Sequence, residues 1–280
     1  MRRLKYILII SLSLGFLSAG NLLNKELHPK VDSKSFGRGE QLNYKVNYGV
    51  LSIGEASMFI SNTLHKVNFR DTYKLEVHGR TKGLTGWLVD VDDQWGVYLD
   101  TVSLLPHVAY RNLKEGKYRK NEVVRYDHRN KLLEIKVLDQ KKGIYKDPEY
   151  FYYPINPEGE VQVRDMLGGY LYLRTIDFSR VNVGDTVTVS GFFEDTFYDL
   201  QMVLRAREVL RTKAGKFKAM KLTPVVPENK LFNGKDSIVA WFSDDDNKMP
   251  LRVEAKMFVG SVFIELSSFS GLKNPPSMLN

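Results

Sequence analysis

A period-two alternation of apolar and polar residues recurs along most of this chain and constrains its fold more than any other feature. From Leu42 to Tyr48, every second residue is apolar and the intervening residues are asparagine or lysine. Successive side chains of a strand point to opposite faces, so this spacing is typical of a half-buried strand. Similar segments follow at Ala56–Ile60, Tyr73–Val77, His107–Leu113, Tyr118–Tyr126, Leu133–Val137, Asp185–Gly191, Gln201–Val209, Phe217–Thr223, Val239–Phe242, Leu251–Val259 and Val262–Phe269.

One segment, at about residues 163–175, departs from the alternation. Its apolar residues have helical spacing and would form one broad face. Asp165 near its start and Arg174 near its end suit the two ends of the helix dipole. Each glycine of the pair Gly168–Gly169 destabilises a helix by about 1 kcal/mol relative to alanine. We therefore expect a neighbouring element to pack closely against the pair. We predict a single helix on a sheet.

The sequence therefore predicts a mainly β protein, a large curved antiparallel sheet or open half-barrel with one packed helix. We expect a signal peptide at residues 1–20, a flexible linker at 21–38, a single β domain at 39–270 and a C-terminal tail at 271–280. About 260 residues remain after the leader, which suffices for one large β domain.

The N-terminus predicts export. Three basic residues precede a short apolar core and the small residues at 18–20, which is the layout of a secretory signal peptide. The core is too short to span a membrane, and no later segment of the mature chain qualifies. The chain has no cysteine, which excludes thiol catalysis, disulfides and a lipoprotein anchor. We predict a periplasmic protein.

Charge and motifs give little support for catalysis. The net charge of +8 is spread along the chain and predicts no nucleic-acid partner. No G-x-S-x-G or H-E-x-x-H motif is present, and no cofactor or metal is predicted. His107 and His128 flank one hairpin and could approach each other across strands, although ordinary strand histidines are favoured. Asp244, Asp245 and Asp246 are interpreted as a turn.

Four blocks of sequence, taken in order, resemble an exported bacterial family named domain of unknown function 3108. The first runs from Gly39 to Ala56, the second is the proposed helix, and the others lie at 212–224 and 241–261. The resemblance extends to about Phe269 and implies an open, curved β-sheet or half-barrel, similar in outline to envelope lipid carriers. It implies no established activity.

We expect the curved sheet to leave an apolar groove that binds a lipid or another amphipathic molecule without catalysis. Tyr170, Leu173 and Trp241 would contact the apolar part. Arg174 could pair with an anionic head group, or instead form a salt bridge or C-terminal cap. Two alternatives remain: a module that binds an envelope protein through strand edges or the loop Tyr145–Tyr153, and a hydrolase of glycans or lipids.

Overall fold

Antiparallel strands make up most of the chain that the computed structural model describes. The described residues are 29–82, 90–155, 161–225, 237–256 and 260–280. The predicted signal peptide and the first part of the predicted linker therefore lie outside them. Residues Val31–Asn280 form one compact unit.

Seventeen strands occur in the described residues. They are β1 (Gln41–Tyr48), β2 (Leu51–Ile60), β3 (His65–Val67), β4 (Arg70–Thr81), β5 (Asp92–Asp100), β6 (Pro106–Glu115), β7 (Tyr118–Asp127), β8 (Leu132–Asp139), β9 (Ile144–Tyr145), β10 (Glu149–Tyr152), β11 (Thr186–Phe193), β12 (Thr196–Thr212), β13 (Gly215–Pro224), β14 (Ile238–Ser243), β15 (Pro250–Lys256), β16 (Ser261–Ser270) and β17 (Met278–Leu279). The prediction of a mainly β protein is confirmed.

The strands form a long open antiparallel sheet. Its order is β10-β8-β7-β6-β5-β4-β2-β1-β16-β15-β14-β13-β12-β11. The short strands β3, β9 and β17 add to β4, β8 and β13. Most neighbours in the sheet are consecutive in sequence, because short hairpins connect them. The long-range pairing of β1 with β16 joins the two halves.

The sheet curls until side chains from its two ends meet. Phe151 of β10 and Phe192 of β11 have ring centroids 5.3 Å apart. Trp95 of β5 stacks on Phe193 of β11 at 5.9 Å. In a closed barrel, backbone hydrogen bonds would join the first and last strands; here aromatic side chains make the contact. The alternation seen in the sequence thus separates a concave, largely apolar face from an outer, polar face.

The one α-helix among the described residues, α1 (Met166–Leu173), packs against β5 and β11. Asp165 caps it and accepts hydrogen bonds from the backbone N–H groups of Leu167 and Gly168. A Cβ atom on Gly168 would lie 2.9 Å from Leu99, so glycine permits the close packing that the sequence required. A 3-10 helix (Phe178–Arg180) follows. Across the described ranges, no helix has the length and apolarity needed to cross a membrane.

The helix is shorter than the predicted segment 163–175. Val163 is fully buried, and Arg164 forms a parallel bridge with Gly191, so both residues are extended. The helix ends at Leu173, and Arg174 is its C-terminal cap. The Arg164 carbonyl oxygen accepts from the backbone N–H of Phe192 at 2.8 Å, so pairing with β11 uses a backbone group that a longer helix would need.

Three apolar clusters stabilise the concave side. The largest lies under α1 and includes the fully buried Leu99, Leu133 and Leu171. A second is centred on Phe217 and contains Trp241. The third contains Leu173 and lies beneath the far end of the helix. Because α1 contributes to the first and third clusters, it is fixed in place along its length.

The part of the predicted linker 21–38 that begins at Val31 packs against the sheet. The backbone N–H of Val31 donates to the carbonyl oxygen of Val102 at 2.8 Å. Phe36 is only 1% exposed and belongs to the first apolar cluster. Burial of Phe36 and this hydrogen bond offset part of the conformational entropy that the segment loses when it is ordered.

The predicted C-terminal tail at 271–280 also packs against the sheet. Strand β17 pairs with β13, and the Asn247 side chain donates to the carbonyl oxygen of Asn274 at 2.9 Å. The ordered unit therefore extends beyond the predicted limits 39–270 at both ends.

Candidate binding site

A cavity opens on the concave side of the sheet, where the start of α1 meets the β11–β12 turn. The space open to the centre of a water-sized sphere is about 40 Å³, which suffices for a few water molecules or one small apolar group. Its lining residues are Trp95, Gly96, Ala109, Tyr110, Arg111, Glu122, Val124, Tyr126, Asp165, Met166, Leu167, Phe192, Phe193, Glu194 and Asp195.

A buried ion pair forms the polar part of this cavity. Arg111 on β6 and Glu122 on β7 are directly opposed in the sheet. The arginine donates from Nε to Oε1 at 2.7 Å and from Nη2 to Oε2 at 3.1 Å. Its guanidinium lies 5.6 Å from the Trp95 ring centre and 5.2 Å from that of Phe193. Two aromatic faces therefore hold the cation in one position.

Arg111 retains hydrogen-bonding capacity. A guanidinium has five N–H donors, and Glu122 takes two of them. A third, on Nη1, reaches Glu194 at the cavity rim at 3.4 Å. One N–H on each terminal nitrogen remains for another acceptor. A ligand with a hydroxyl, amide or ether oxygen could use both.

The charges around the cavity are predominantly acidic. Burial opposes ionisation of Glu122, but hydrogen bonds from Arg111 and Lys120 outweigh it and hold the pKa of that carboxyl below its ordinary value. Glu194 and Asp195 are exposed at the rim. Arg111 is the one basic residue among the described residues of the cavity lining, against the four acidic residues Glu122, Asp165, Glu194 and Asp195, which disfavours an anionic ligand.

Asp165 is a buried acid between α1 and the cavity. Burial raises its pKa to about 6, although the backbone N–H groups of Gly168 and Leu167 favour the ionised form. The aspartate is therefore partly protonated in the neutral to mildly acidic range. Its titration changes the charge at the helix start and at the cavity wall together.

We expect Asp165 to make stability depend on pH. Since the native pKa exceeds the unfolded value of about 3.9, its contribution is present below pH 4 and is lost as pH rises through 6. Asp165→Asn keeps the capping oxygen. The stability of the wild type relative to this variant should fall by about 2–3 kcal/mol from pH 4 to pH 7, measured by urea unfolding.

Asp177 provides the control for this prediction. It also caps a short helix, by accepting from the backbone N–H of Ser179, but this bond and one from the Ser179 hydroxyl lower the pKa of its exposed carboxyl. Asp177→Asn should give a change of the opposite sign, since that stabilisation is lost as pH falls. A pH-independent difference between wild type and Asp165→Asn would contradict the assignment.

Of the alternatives given for Arg174, the structure shows the salt bridge and the C-terminal cap. Arg174 is fully buried and donates to both carboxylate oxygens of Glu40, at 2.5 and 2.9 Å. Its three other N–H groups reach the carbonyl oxygens of Asn247 and Ser35 and the hydroxyl of Tyr170. All five donors are occupied, so the salt-bridge alternative holds and no donor remains for a ligand.

The other predicted ligand residues do not line the cavity. Tyr170 is partly buried, accepts from Arg174 at 3.1 Å, and stacks on Phe242. Leu173 is buried in the third apolar cluster. Trp241 donates from Nε1 to Glu208 at 2.6 Å, with Lys221 over its ring. None of the three lines the cavity beside α1, and their contact with a ligand stays a prediction.

The histidine pair and the aspartate run singled out in the sequence make contacts within the fold. His107 and His128 do approach each other, with ring centroids 6.4 Å apart, and His128 hydrogen-bonds to Tyr153 and to the carbonyl of Pro106. Asp245 accepts from the backbone N–H groups of Asn247 and Lys248, which confirms the turn. Within the described ranges, no cluster of three or more His, Asp or Glu side chains could hold a metal.

Sequence reasoning missed Arg111 and Glu122, although a signal existed. The predicted strand segments His107–Leu113 and Tyr118–Tyr126 correspond to the hairpin of β6 and β7, although β6 runs two residues further, to Glu115, before β7 starts at Tyr118. That register pairs position 111 with position 122 on the apolar face. Two opposite charges at paired inward positions of a hairpin indicate a buried ion pair.

A curled antiparallel sheet with a helix on its concave side defines a β-barrel-like domain. A solved structure with this fold is the β-barrel-like protein of domain of unknown function DUF1849 from Brucella abortus. Its TM-score is 0.50 at 8% identity, covering 83% of this chain and 97% of that one. Within this class, the chain belongs to DUF3108, a family of proteins of unknown function, whose model matches residues 43–267. The sequence resemblance is thereby confirmed.

Other solved structures are more distant. A candidate lipoprotein from Parabacteroides distasonis has a TM-score of 0.27 at 12% identity, covering 87% of this chain and 98% of that one. A candidate exported protein from Bacteroides fragilis has a TM-score of 0.30 at 10% identity, covering 87% and 98%. No curated protein matches the chain.

Proposed function

We propose that this protein is a non-enzymatic binding protein of the bacterial periplasm that holds one end of an amphipathic molecule in the cavity beside α1. The observation that carries the proposal is Arg111, a buried cation with two remaining donors in a largely apolar cavity. Such a site binds an apolar group and orients it by one polar contact. The signal-peptide pattern of the sequence supports the compartment.

The size of the cavity limits which ligands can enter it. A space of about 40 Å³ admits a short alkyl end or a ring, but not a whole acyl chain. The exposed side chain of Met166 lies at its edge and can change rotamer, since methionine is flexible. The acidic rim favours a neutral or cationic polar group. Lipids and lipid-like amphiphiles with an uncharged polar end fit these requirements.

The fluorescence of Trp95 gives a direct binding test. We expect 1-octanol and octylamine to change the tryptophan emission of the full chain, and octanoate to bind more weakly because of the acidic rim. Met166→Asp should weaken 1-octanol binding about fivefold, since about 1 kcal/mol of apolar contact is lost. An aspartate at the first helical position suits the helix dipole, so the fold is retained.

Met278→Asp is the matched control. Met278 is 47% exposed, against 45% for Met166, and lies on β17 away from the cavity. We expect it to bind 1-octanol as the wild type does. Equal binding by the wild type and Met166→Asp, or no emission change with 1-octanol and octylamine, would refute the cavity as the site.

A second candidate function is binding of an envelope protein, and exposed side chains at the β9–β10 end of the sheet favour it. Tyr145, Tyr150 and Tyr152 are 50%, 52% and 73% exposed. Strand β10 pairs with β8 on one side, and strand addition to such an edge is a common mode of peptide recognition. This candidate predicts co-purification of a protein with the native chain instead of a small ligand.

A further inference from the structure

The outer face of the sheet carries a continuous row of polar side chains, on the side away from the α1 cavity. Seven neighbouring strands, β16, β1, β2, β4, β5, β6 and β7, each contribute one residue in register. The row consists of Ser268, Asn43, Ser57, His78, Gln94, Asn112 and Asn121. With strands about 4.8 Å apart, it is about 29 Å long.

Two adjoining depressions lie along this row. One has a volume of about 350 Å³ and includes Asn43 and Ser57, and the other, of about 540 Å³, includes Gln94 and Asn112. They share Ser57 and His78, which are paired across β2 and β4. Together they form one shallow trough that is much larger than the α1 cavity.

The amide groups of the row are oriented by one another. Asn121 donates to the Asn112 side-chain oxygen at 2.7 Å, Asn112 donates to Gln94 at 3.4 Å, and Gln94 donates to Glu76 at 3.3 Å. Each amide has two N–H donors and two acceptor positions. Gln94 and Asn112 therefore each present one donor and one acceptor outward, in fixed positions, which lowers the entropic cost of binding.

The trough lining contains charges of both signs, the basic Lys45 and Arg80 and the acidic Glu55, Glu76 and Asp92, and each of these carboxylates has a partner. Glu55 contacts Lys45 at 2.5 Å, Glu76 contacts Lys74 at 3.0 Å, and Asp92 contacts His78 at 2.6 Å. A strongly anionic or cationic ligand would have to compete with these pairs. The partly buried ring of Phe59 lines the larger depression beside Ser57 and adds an apolar surface.

From these features we infer that the trough binds a neutral oligosaccharide. Sugar hydroxyls both donate and accept hydrogen bonds, as the outward groups of Gln94 and Asn112 do, and the C–H face of a sugar ring packs on an aromatic ring such as Phe59. The length of the row suits a chain of several sugar units. This site is separate from the α1 cavity and lies on the opposite face.

Isothermal titration of the full chain with maltohexaose, cellohexaose and chitohexaose tests the inference. We expect at least one of them to bind, and Gln94→Ala to weaken that binding about tenfold, the loss of about 1.4 kcal/mol from two oriented hydrogen bonds. Gln201→Ala is the matched control, since Gln201 is also an exposed strand glutamine and lies on β12, and it should bind as the wild type does.

The outcomes separate the inference from the proposed function. Binding that Gln94→Ala weakens and Gln201→Ala preserves supports the trough. Absence of binding to all three hexasaccharides, or binding that both variants leave unchanged, overturns it. Met166→Asp, which tests the α1 cavity, should leave hexasaccharide binding unchanged, so either site can fail without the other.

Discussion

Replacing Arg174 with methionine is expected to lower the free energy of unfolding by about 3–5 kcal/mol. The substitution keeps most of the side-chain volume but leaves the Glu40 carboxylate, which is 1% exposed, without its cation. It also removes the donors that join the segment at Ser35 and the turn at Asn247 to the end of α1. Urea unfolding monitored by circular dichroism measures the change.

Two further variants identify the cause. Arg180→Met removes an arginine that is 87% exposed in its pair with Asp177, and it should change stability by less than about 0.5 kcal/mol. Adding Glu40→Gln to Arg174→Met should cost far less than Glu40→Gln costs alone, because the two residues are coupled. A loss below about 1 kcal/mol for Arg174→Met would contradict the buried pair as the link between these segments.

Replacing Gly271 with alanine is expected to destabilise the fold by about 2–5 kcal/mol, combining a left-handed backbone with a steric clash. Gly271 has φ of +67°, and a Cβ there would lie within 3.0 Å of the backbone carbonyl of Gly39. The obstacle is backbone, so no side-chain rotation relieves it. We expect the substitution to push the C-terminal segment away from Gly39. A lower melting temperature measures the resulting loss of stability.

Gly49 isolates the steric part of this effect. Its φ of +55° is similar, but no atom lies within 4 Å of the position of a Cβ. Gly49→Ala should therefore cost only the backbone strain of about 1–2 kcal/mol. If both alanine variants lose the same stability, the close approach of Gly271 to Gly39 is not a constraint on the fold.

The strands were predictable because their signal is local. Alternation of apolar and polar residues determines which face of a strand is buried, whatever its neighbour. The helix was predictable for the same reason, although it starts only at Met166 because the backbone of Arg164 pairs with β11. The sequence alone does not determine how far a curved sheet closes, since closure depends on aromatic contacts such as that between Phe151 and Phe192.

The residues of the candidate site were harder to predict from the sequence than the strands were. Arg174 was recognised as a helix-end cation, but its partner Glu40 is 134 positions away. Nothing local distinguishes that carboxylate from the other acidic residues. The pair of Arg111 with Glu122, in contrast, follows from one hairpin register. The cavity itself requires knowing where the β11–β12 turn lies, which no local pattern specifies.

Native mass spectrometry of the protein purified gently from its own envelope tests the proposed function most directly. We predict a reproducible additional mass that organic solvent releases, with the mass of an amphiphile that has a neutral or cationic polar end. A bare polypeptide mass that stays unchanged after incubation with total envelope lipid would contradict the account. Retention of a second polypeptide in its place would favour the protein-binding alternative.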